Sequence, residues 1–411
     1  MRDSKSSSHH KLKRLGHAEF VALMALMTSI VALSIDGMLP AFPKIGSDFN
    51  VHGADQIQLI IAMLFLGFGF GQFIFGPLSD VFGRKPPIYF GIAVFIIGSA
   101  LSGFAPNFEL FLLGRFLQGF GGAAPRIVSL ALIRDEYSGN AMAQITSLIM
   151  TIFILVPAIA PALGQSILFL LGWRAIFIVL FAVGLGAWVW FALRQHETLP
   201  KHLRKKLTVQ QILSGARQTF SQPTTVACML MTGLIFGIFV GYLGAVQDLF
   251  TSLFQVGQRF PAYFAVLALS IGAASFFNSR LVMALGMRRL IFLAFLGMAV
   301  LSNLFVLFLT VFQDGPPPLW LFMIYLMLTF FSVGFLFGNL NALAMEPLGH
   351  IAGIGSALLG FVQSTISVII GVFLGRYFHG NVIPLVLSFG IISVLCLFIL
   401  TFEERFTRSA T

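Results

Sequence analysis

The sequence predicts an all-α membrane protein with twelve transmembrane helices in two six-helix bundles. Of its 411 residues, 58% are hydrophobic and only 10% are charged, and the mean hydropathy is +0.94. A soluble domain carries about 25% charged residues, so this apolar excess must face lipid. The apolar runs reach the ~20 residues that an α-helix needs to cross the hydrocarbon, and they lack the alternation of outer-membrane strands.

Twelve apolar runs define spans 1 to 12. Their approximate limits are 18–40, 57–78, 87–105, 108–133, 144–168, 174–193, 224–246, 260–282, 290–312, 319–341, 353–374 and 380–402. The longest hydrophilic interval follows span 6. We therefore expect a tail at 1–17, a bundle at 18–193, a linker at 194–223 that is partly an interfacial helix, a second bundle at 224–402 and a tail at 403–411. Span 1 lacks a cleavage site and is expected to be retained.

The positive charges are distributed unevenly between the two sides of the predicted bundle. Of the 25 Lys and Arg residues, all but six fall in the tails, in the loops on the side of the termini or at the span end that adjoins such a loop. The exceptions are Lys44, Arg174, Arg259 and Arg376 in the opposite loops, and Arg115 and Arg126 within span 4. The positive-inside rule therefore predicts a multi-pass membrane protein with both termini in the cytoplasm.

Other classes of partner and cofactor are not expected. The net charge of +10 would suggest nucleic-acid binding in a soluble protein, but here most of the positive charges lie on one side of the predicted spans. The basic residues of the linker are expected to bind anionic lipid headgroups, with a regulatory binding site as the alternative. The sequence has no phosphate-binding Gly-rich loop ending in Lys-Ser/Thr and no His/Cys cluster with metal-ligand spacing. We expect no nucleic acid, no metal and no cofactor, and no reaction driven by ATP.

The connection between spans 2 and 3 concentrates charged and turn-forming residues. It reads Gly76-Pro-Leu-Ser-Asp80-Val-Phe-Gly83-Arg84-Lys85-Pro86. An acid at one helix end and two bases at the next can hold two helices together and release them. The loop resembles the signature Gly-x-x-x-Asp-(Arg)-x-Gly-Arg-Lys of the major facilitator superfamily, with Val81 in place of the usual base.

This resemblance implies two pseudo-symmetric six-helix bundles and a conformational gate in the loop. In the family the Asp, here Asp80, pairs with bases at neighbouring helix ends and steadies the outward-facing state. Arg134 and Asp135, at the end of span 4, are at the right depth to join it. The alternative is a plain helix-terminating turn with solvated charges.

Spans 4 and 5 extend the resemblance. Span 4 carries Arg115-Phe-Leu-Gln118-Gly119, which is similar to the family pattern Arg-x-x-Gln-Gly. Span 5 carries Pro157, Pro161 and Gly164, which resemble the span-5 motif of the family's exporters, with Gln165 where a second Gly is common.

Two further segments are similar to one branch of the family, the bicyclomycin/chloramphenicol-resistance (Bcr/CflA-type) drug:proton antiporters. One is Asp36-Gly-Met-Leu-Pro40-Ala-Phe-Pro43, which ends span 1. The other is Asn341-Ala-Leu-Ala344 with Ala352-Gly353-Ile-Gly-Ser356-Ala357-Leu-Leu-Gly360, between spans 10 and 11.

Asp36 and Arg115 are the first candidates for proton coupling. Ionisable groups in hydrocarbon are costly and usually mark function. At ~1.5 Å per residue the two lie at similar depths in spans 1 and 4. Their opposite charges predict a pair whose separation would take up or release a proton. A static ion pair, or Asp36 capping a helix broken near Pro40, is the alternative.

Arg126 is a second cation within span 4. It lies three turns from Arg115 and so shares its helix face, with Gln118 near the same stripe. Two cations facing a cavity would favour an anionic substrate. Alternatively, Arg126 pairs with a neighbour or extends toward the headgroups. Gln363 in span 11 is the first candidate among the polar residues for lining the cavity.

Together with the resemblance, these features predict a monomer in a bacterial inner membrane that exports small amphipathic molecules or drugs by alternating access. The resemblance implies that the proton gradient drives this export. A dedicated metabolite or siderophore exporter, possibly of an anion, is the alternative. A non-transporting receptor would not need a buried acid and base or a gate. An enzyme would need a nucleophile–base or metal constellation, which we do not find.

Overall fold

A computed structural model of the chain describes residues 15–51, 53–204, 208–312, 315–378 and 380–410. Most of the predicted tail at 1–17, and Lys205 and Lys206 of the linker, lie outside the described residues. Within them, twelve helices are long and apolar enough to cross a membrane, as predicted.

The helices follow the predicted spans closely. The N-terminal bundle contains α1 (His17–Asp36), α2 (Phe42–Asp48), α3 (Ala54–Phe82), α4 (Lys85–Gly103), α5 (Phe108–Glu136), α6 (Gly139–Leu171) and α7 (Trp173–Arg194). The linker contains α8 (Val209–Phe220). The C-terminal bundle contains α9 (Pro223–Asp248), α10 (Phe260–Leu285), α11 (Met287–Phe312), α12 (Leu319–Met345), α13 (Ala352–Gly375) and α14 (Ile383–Ala410).

The two bundles meet mainly through two helix pairs, α3 with α13 and α6 with α10. We call the end of the molecule that contains the start of α1 and the end of α14 the terminal side, and the opposite end the distal side. The loop 83–84 and the start of α13 are on the terminal side, whereas α2 and residues 249–259 are on the distal side.

Small residues bring the helices into backbone contact. A Cβ on Gly119 of α5 would overlap the carbonyl oxygen of Leu64 in α3. On α9, Gly233 and Gly237 face the branched side chains of Ile366 and Ile370 in α13. Close approach of this kind stabilises helix pairs in lipid, where no hydrophobic effect acts between them.

The first span is interrupted after Asp36. The sequence predicts a span to residue 40, but α1 ends at Asp36 and a short 3₁₀ turn, Leu39–Ala41, leads into α2. Pro40 cannot donate a hydrogen bond to the carbonyl oxygen of residue 36, and its ring crowds that oxygen, which favours a break here. On the neighbouring helix α6, a Cβ on Gly164 would overlap the carbonyl oxygen of Gly37. The break in α1 is therefore packed directly against the predicted exporter motif.

The last helix is longer than predicted. It continues past residue 402 to Ala410. Glu403 is buried in this extension and binds the guanidinium of Arg288 at 2.5 and 3.1 Å. This ion pair holds the end of α14 against the start of α11, which explains why a polar segment stays helical.

The linker helix α8 is amphipathic and begins with a capping box formed by Thr208 and Gln211. Its Gly215 packs against Ile354 at the start of α13. Leu213 and Phe220 are exposed on the other side. This arrangement fits the interfacial helix expected within the linker.

Candidate functional site

Asp36 lies at the break in α1 with only 6% of its surface exposed. In the part of the chain that the structure describes, no hydrogen bond or ion pair holds its carboxylate. Burying a carboxylate without a partner is costly. The ionised form of Asp36 is therefore costly in this arrangement.

Arg115 does not pair with Asp36 in this structure. Its fully buried guanidinium donates to Gln118 Oε1 at 2.5 Å and to the backbone oxygens of Ser34 at 3.2 Å and Ile60 at 3.5 Å. Ser34 is two residues before Asp36, and positions i and i+2 point about 200° apart on a helix. The two residues have similar predicted depths, but Arg115 contacts α1 through the backbone oxygen of Ser34 and not through the carboxylate of Asp36.

A polar group of the other bundle lies near Asp36 instead. The hydroxyl of Tyr242 in α9 is buried and has no hydrogen-bond partner among the described residues. It lies within electrostatic reach of Asp36, and the 3₁₀ turn after α1 packs against α9. The sequence analysis missed Tyr242, because the nearly uniform apolarity of span 7 does not show which face meets span 1.

Gln118 extends the Arg115 contacts within the N-terminal bundle. Its Nε2 donates to Ser99 Oγ on α4 at 2.8 Å, and the ring of Phe177 lies 5.8 Å from the guanidinium carbon of Arg115. The Arg115 guanidinium therefore meets neutral acceptors and an aromatic face. Arg115 and Gln118 together connect α1, α3, α4 and α5, so the contacts of Arg115 are those of a positioning residue.

Arg126 has a different environment from Arg115. Its guanidinium carbon lies 4.6 Å from the ring centroid of Phe153 on α6 and 6.0 Å from that of Phe68 on α3. The residue is partly buried. No acceptor within the described ranges forms a hydrogen bond or ion pair with it. Arg126 and Arg115 are predicted to share a helix face, but they contact different residues.

Gln363 on α13 joins a separate polar group. Its Nε2 donates to Asn341 Oδ1 on α12 at 3.3 Å, and it is partly buried. A neighbouring pair, Asn339 with Asn278 at 2.7 Å, links α12 to α10. Within the described residues, Gln363 forms no hydrogen bond with Asp36, Arg115 or Arg126.

The predicted gate brings three charged side chains together. Arg84 donates to Asp80 Oδ1 at 2.7 Å and to both carboxylate oxygens of Asp135 at 2.7 and 3.2 Å. Burial lowers the pKa of Arg84, but hydrogen bonds to the two carboxylates outweigh it and raise the pKa above its usual value. We call Asp80, Arg84 and Asp135 the gate cluster. Arg134 is exposed and joins no ion pair within the described residues.

The start of α4 is held by an acid that the sequence analysis did not single out. Glu197 accepts the backbone amides of Arg84 at 2.8 Å and Lys85 at 3.1 Å. Lys85 Nζ in turn donates to the backbone oxygen of Gln195 at 2.6 Å. Gly83 turns the chain with a φ of +96°, and a side chain there would meet Glu197. The sequence indicates this contact only in that Glu197 is an acidic residue at the start of a basic linker.

The gate cluster also touches the other bundle on the terminal side. A Cβ built on Gly353 would lie 3.2 Å from Asp80 Oδ2. Gly353 is in the first turn of α13, where the helix dipole favours a negative charge. Gly76, one turn before Asp80, lies beside Ala357 of the same helix. Asp80 therefore connects the two bundles.

The distal side is also bridged. The fully buried Gln58 of α3 donates from Nε2 to the backbone oxygen of Val240 in α9 at 2.9 Å. Gln165, which follows the exporter motif Pro157, Pro161 and Gly164 on α6, donates to the backbone oxygen of Gln258 at 3.1 Å. Both ends of the interface between the bundles therefore carry specific contacts.

A cleft of about 840 Å³ lies between the bundles on the distal side. Pro40, Ala162 and Gln165 line it from the N-terminal bundle, and Gln247 and Pro261 from the C-terminal bundle. It adjoins the break in α1. The cleft is large enough for a small organic molecule, since such sites typically occupy ~300–1,000 Å³.

Comparison with known proteins agrees with the fold and the motifs. The family model of the Major Facilitator Superfamily matches residues 24–372. The chain is 28% identical to the "Bicyclomycin resistance protein homolog" of Haemophilus influenzae, over 95% of this chain and 98% of that protein. It is also 28% identical to the "Multidrug resistance protein MdtL" of Salmonella paratyphi B, over 89% of this chain and 91% of that protein.

A solved structure with the same fold is that of the xylose transporter XylE from E. coli in a partially occluded inward-open conformation. It has a TM-score of 0.69, with 13% identity over 93% of this chain and 96% of that one. At this identity the likeness concerns the fold alone. The relatives named for drug resistance agree with the predicted bicyclomycin/chloramphenicol-resistance type. With a family model matching most of its length and twelve candidate spans, this chain belongs to the major facilitator superfamily of membrane transporters.

Proposed function

We propose that this transporter is a proton-coupled antiporter that exports small amphipathic molecules by alternating access. The observation that carries the proposal is Asp36, a buried carboxylate without a partner among the described residues, at the break in α1. The 3₁₀ turn that follows it packs against α9 of the other bundle, which carries Tyr242 within electrostatic reach of Asp36. A group at this boundary changes its exposure when the bundles rock.

The coupling follows from the cost of a charge in an apolar site. While the bundles enclose Asp36, the neutral acid is the less costly form, because an ionised carboxylate loses its hydration. When the cavity opens to one side of the membrane, water or substrate from that side can stabilise the ionised carboxylate. The proton is then released to that side only. One proton moving down 100 mV supplies ~2.3 kcal/mol, which is enough to bias two states.

Aromatic contacts across the interface support an amphipathic substrate. Phe65 of α3 meets Phe236 of α9 with ring centroids 5.2 Å apart, and Phe361 of α13 meets Phe70 at 5.1 Å and Phe73 at 5.5 Å. These rings belong to opposite bundles, so they separate and become available when the bundles move. Aromatic surfaces of this kind accept varied molecules without fixed hydrogen-bond patterns.

The charge distribution supports export from the cytoplasm. The basic loops and tails on the terminal side indicate that this side faces the cytoplasm of an inner membrane. The gate cluster would then hold the cytoplasmic side closed in the outward-facing state. The relatives named for bicyclomycin and multidrug resistance favour drugs as the cargo. In this proposal the protein works as a monomer, and its partners are protons, the small-molecule substrate and the lipid bilayer.

The test is substrate-induced proton release from the purified protein in detergent and in proteoliposomes. The substrate is first chosen as a compound to which the protein confers resistance in an exporter-deficient host. We expect Asp36→Asn to abolish proton release, because the amide cannot exchange a proton. The matched control is Glu109→Gln, which removes an exposed acid in the first turn of α5.

The result expected for Glu109→Gln is proton release at the wild-type level. Normal release from Asp36→Asn would contradict the proposal. A protein that binds compounds but moves none of them across the liposome membrane would be a receptor, and the export proposal would then be wrong.

A further inference from the structure

The two intramembrane arginines of α5 differ in one respect that bears on the substrate. Arg115 is saturated by Gln118 and two backbone oxygens. Arg126 has two aromatic faces and no hydrogen-bond acceptor among the described residues. A guanidinium presents five N–H donors and stays charged. A partly buried guanidinium without acceptors lacks the partner that its charge requires.

The neighbouring helices supply no acid at this level. α6, which carries Phe153, contains no Asp or Glu. On α3, Phe68 lies twelve residues from Asp80, which is ~18 Å along the helix axis. On α1, Glu19 is bound to Arg194 at the terminal side, and Asp36 is at the distal break. The protein therefore does not neutralise Arg126 from these elements.

Arg126 also lies at the boundary between the bundles. Phe65, one turn from Phe68 on α3, contacts Phe236 of the other bundle. Ile154, next to Phe153 on α6, packs against Gly272 of α10. The two helices whose rings flank Arg126 are thus the two that face the C-terminal bundle. Phe68 and Phe153 are themselves only partly buried.

We propose that Arg126 binds the anionic group of the transported molecule, with Phe68 and Phe153 packing against its apolar part. The substrate class is then an amphipathic monoanion, such as an aromatic carboxylate. This inference rests on the proposed function and specifies its substrate. The planar fork of a guanidinium matches a carboxylate in a bidentate arrangement. The two rings hold the fork in place and leave its N–H edge for the ligand.

The probes are a matched pair, 1-naphthylacetate and its neutral amide, 1-naphthylacetamide. They have nearly the same shape, so a difference in affinity reports the charge. Binding is measured by titration calorimetry on the full-length protein in nanodiscs. We expect wild type to bind the acid at least about 10-fold more tightly than the amide, because a charge-assisted hydrogen bond adds this much.

Three variants test the role of Arg126. Arg126→Gln should weaken acid binding by about 10- to 100-fold and leave amide binding unchanged. Arg126→Lys keeps the charge but loses the fork, so its affinity for the acid should fall between the two. The control is Arg280→Gln, which removes an exposed arginine stacked on Phe276 at 5.1 Å in α10. It should bind both probes like wild type.

Four results would overturn the inference. They are equal affinity of wild type for the two probes, no binding of the acid, an equal loss of both probes in Arg126→Gln, and loss of acid binding in Arg280→Gln to the same extent. Misfolding of Arg126→Gln is recognised by its thermal unfolding curve, and Arg126→Lys then decides.

Proton release separates this inference from the proposed function. If the amide is transported with Asp36-dependent proton release but the acid has no advantage, the antiporter stands and the anion site is wrong. If the acid binds through Arg126 but no probe drives proton movement, the anion site stands and proton antiport is wrong.

Discussion

Gln58 of α3 donates a hydrogen bond to the backbone oxygen of Val240 in α9, at 2.9 Å, from a fully buried position between the two bundles. Its side chain lies in a slot made by two glycines. A Cβ on Gly244 would overlap Gln58 Oε1, and one on Gly375 would lie 2.8 Å from Gln58 Cδ. The side chain of Gln58 therefore fills the space where α3 meets both α9 and α13 on the distal side.

The first prediction concerns opening of the distal side. Gln58→Ala removes the hydrogen bond and leaves the slot empty, so the closed distal side should lose about 1 kcal/mol or more. The population with an open distal side should rise by a factor of about 5. Spin labels at Ser47→Cys in α2 and Ser252→Cys near the end of α9 would report longer distances.

The two native cysteines are buried, so they do not compete for the label. A suitable control is Gln211→Ala in the linker helix, which lies on the terminal side. A distance distribution for Gln58→Ala that matches wild type, with and without substrate, would contradict the assignment of Gln58 to distal closure.

The second prediction concerns the break in α1. Gly164→Ala should destabilise the protein by about 1–3 kcal/mol, because its methyl group would overlap the carbonyl oxygen of Gly37 and the backbone there cannot move freely. The displacement would also shift the adjoining Asp36. Thermal unfolding in detergent measures the stability, and proton release measures the effect on the carboxylate.

Gly186→Ala in α7 is the matched control, because a Cβ there meets nothing within 4 Å. Alanine is favoured over glycine within a helix by about 0.5–1 kcal/mol, so this variant should be as stable as wild type or more stable. If the two variants unfold at the same temperature, the tight contact between α1 and α6 is not required.

The fold was predictable from the sequence to a large extent, because apolar length and charge asymmetry act along one dimension. Every span that hydropathy indicated appears as a helix, and the loop motif placed Asp80 near Arg84. Helix ends were less accurate. Hydropathy cannot anticipate that Glu403 binds Arg288 and prolongs α14, since that contact joins residues 115 positions apart.

The arrangement around the site was less predictable, because it depends on how each helix is rotated. Depth along the spans brings Asp36 and Arg115 to one level, but Arg115 contacts the Ser34 oxygen of α1 and not the Asp36 carboxylate. Nothing in the sequence distinguishes Gln58 from other residues of apolar spans. Its hydrogen bond between the bundles appears only when α3 and α9 are both in place.

The last prediction concerns the gate cluster. Asp80→Asn keeps the size of the side chain and removes its charge, which weakens both the ion pair with Arg84 and the interaction with the start of α13. Arg84 retains Asp135, so the loop should still fold. We expect the closed terminal side to lose about 1–2 kcal/mol and transport to fall about 5- to 30-fold, while substrate affinity changes little. Transport into proteoliposomes and calorimetric binding on the same preparation give the two quantities.

The control for the gate cluster is Glu346→Gln, which removes an exposed acid just before α13 and should leave transport and affinity unchanged. A matched fall in transport and affinity for Asp80→Asn would indicate a binding or folding defect and count against a gate, since a gate alters the balance between states more than it alters the substrate's contacts.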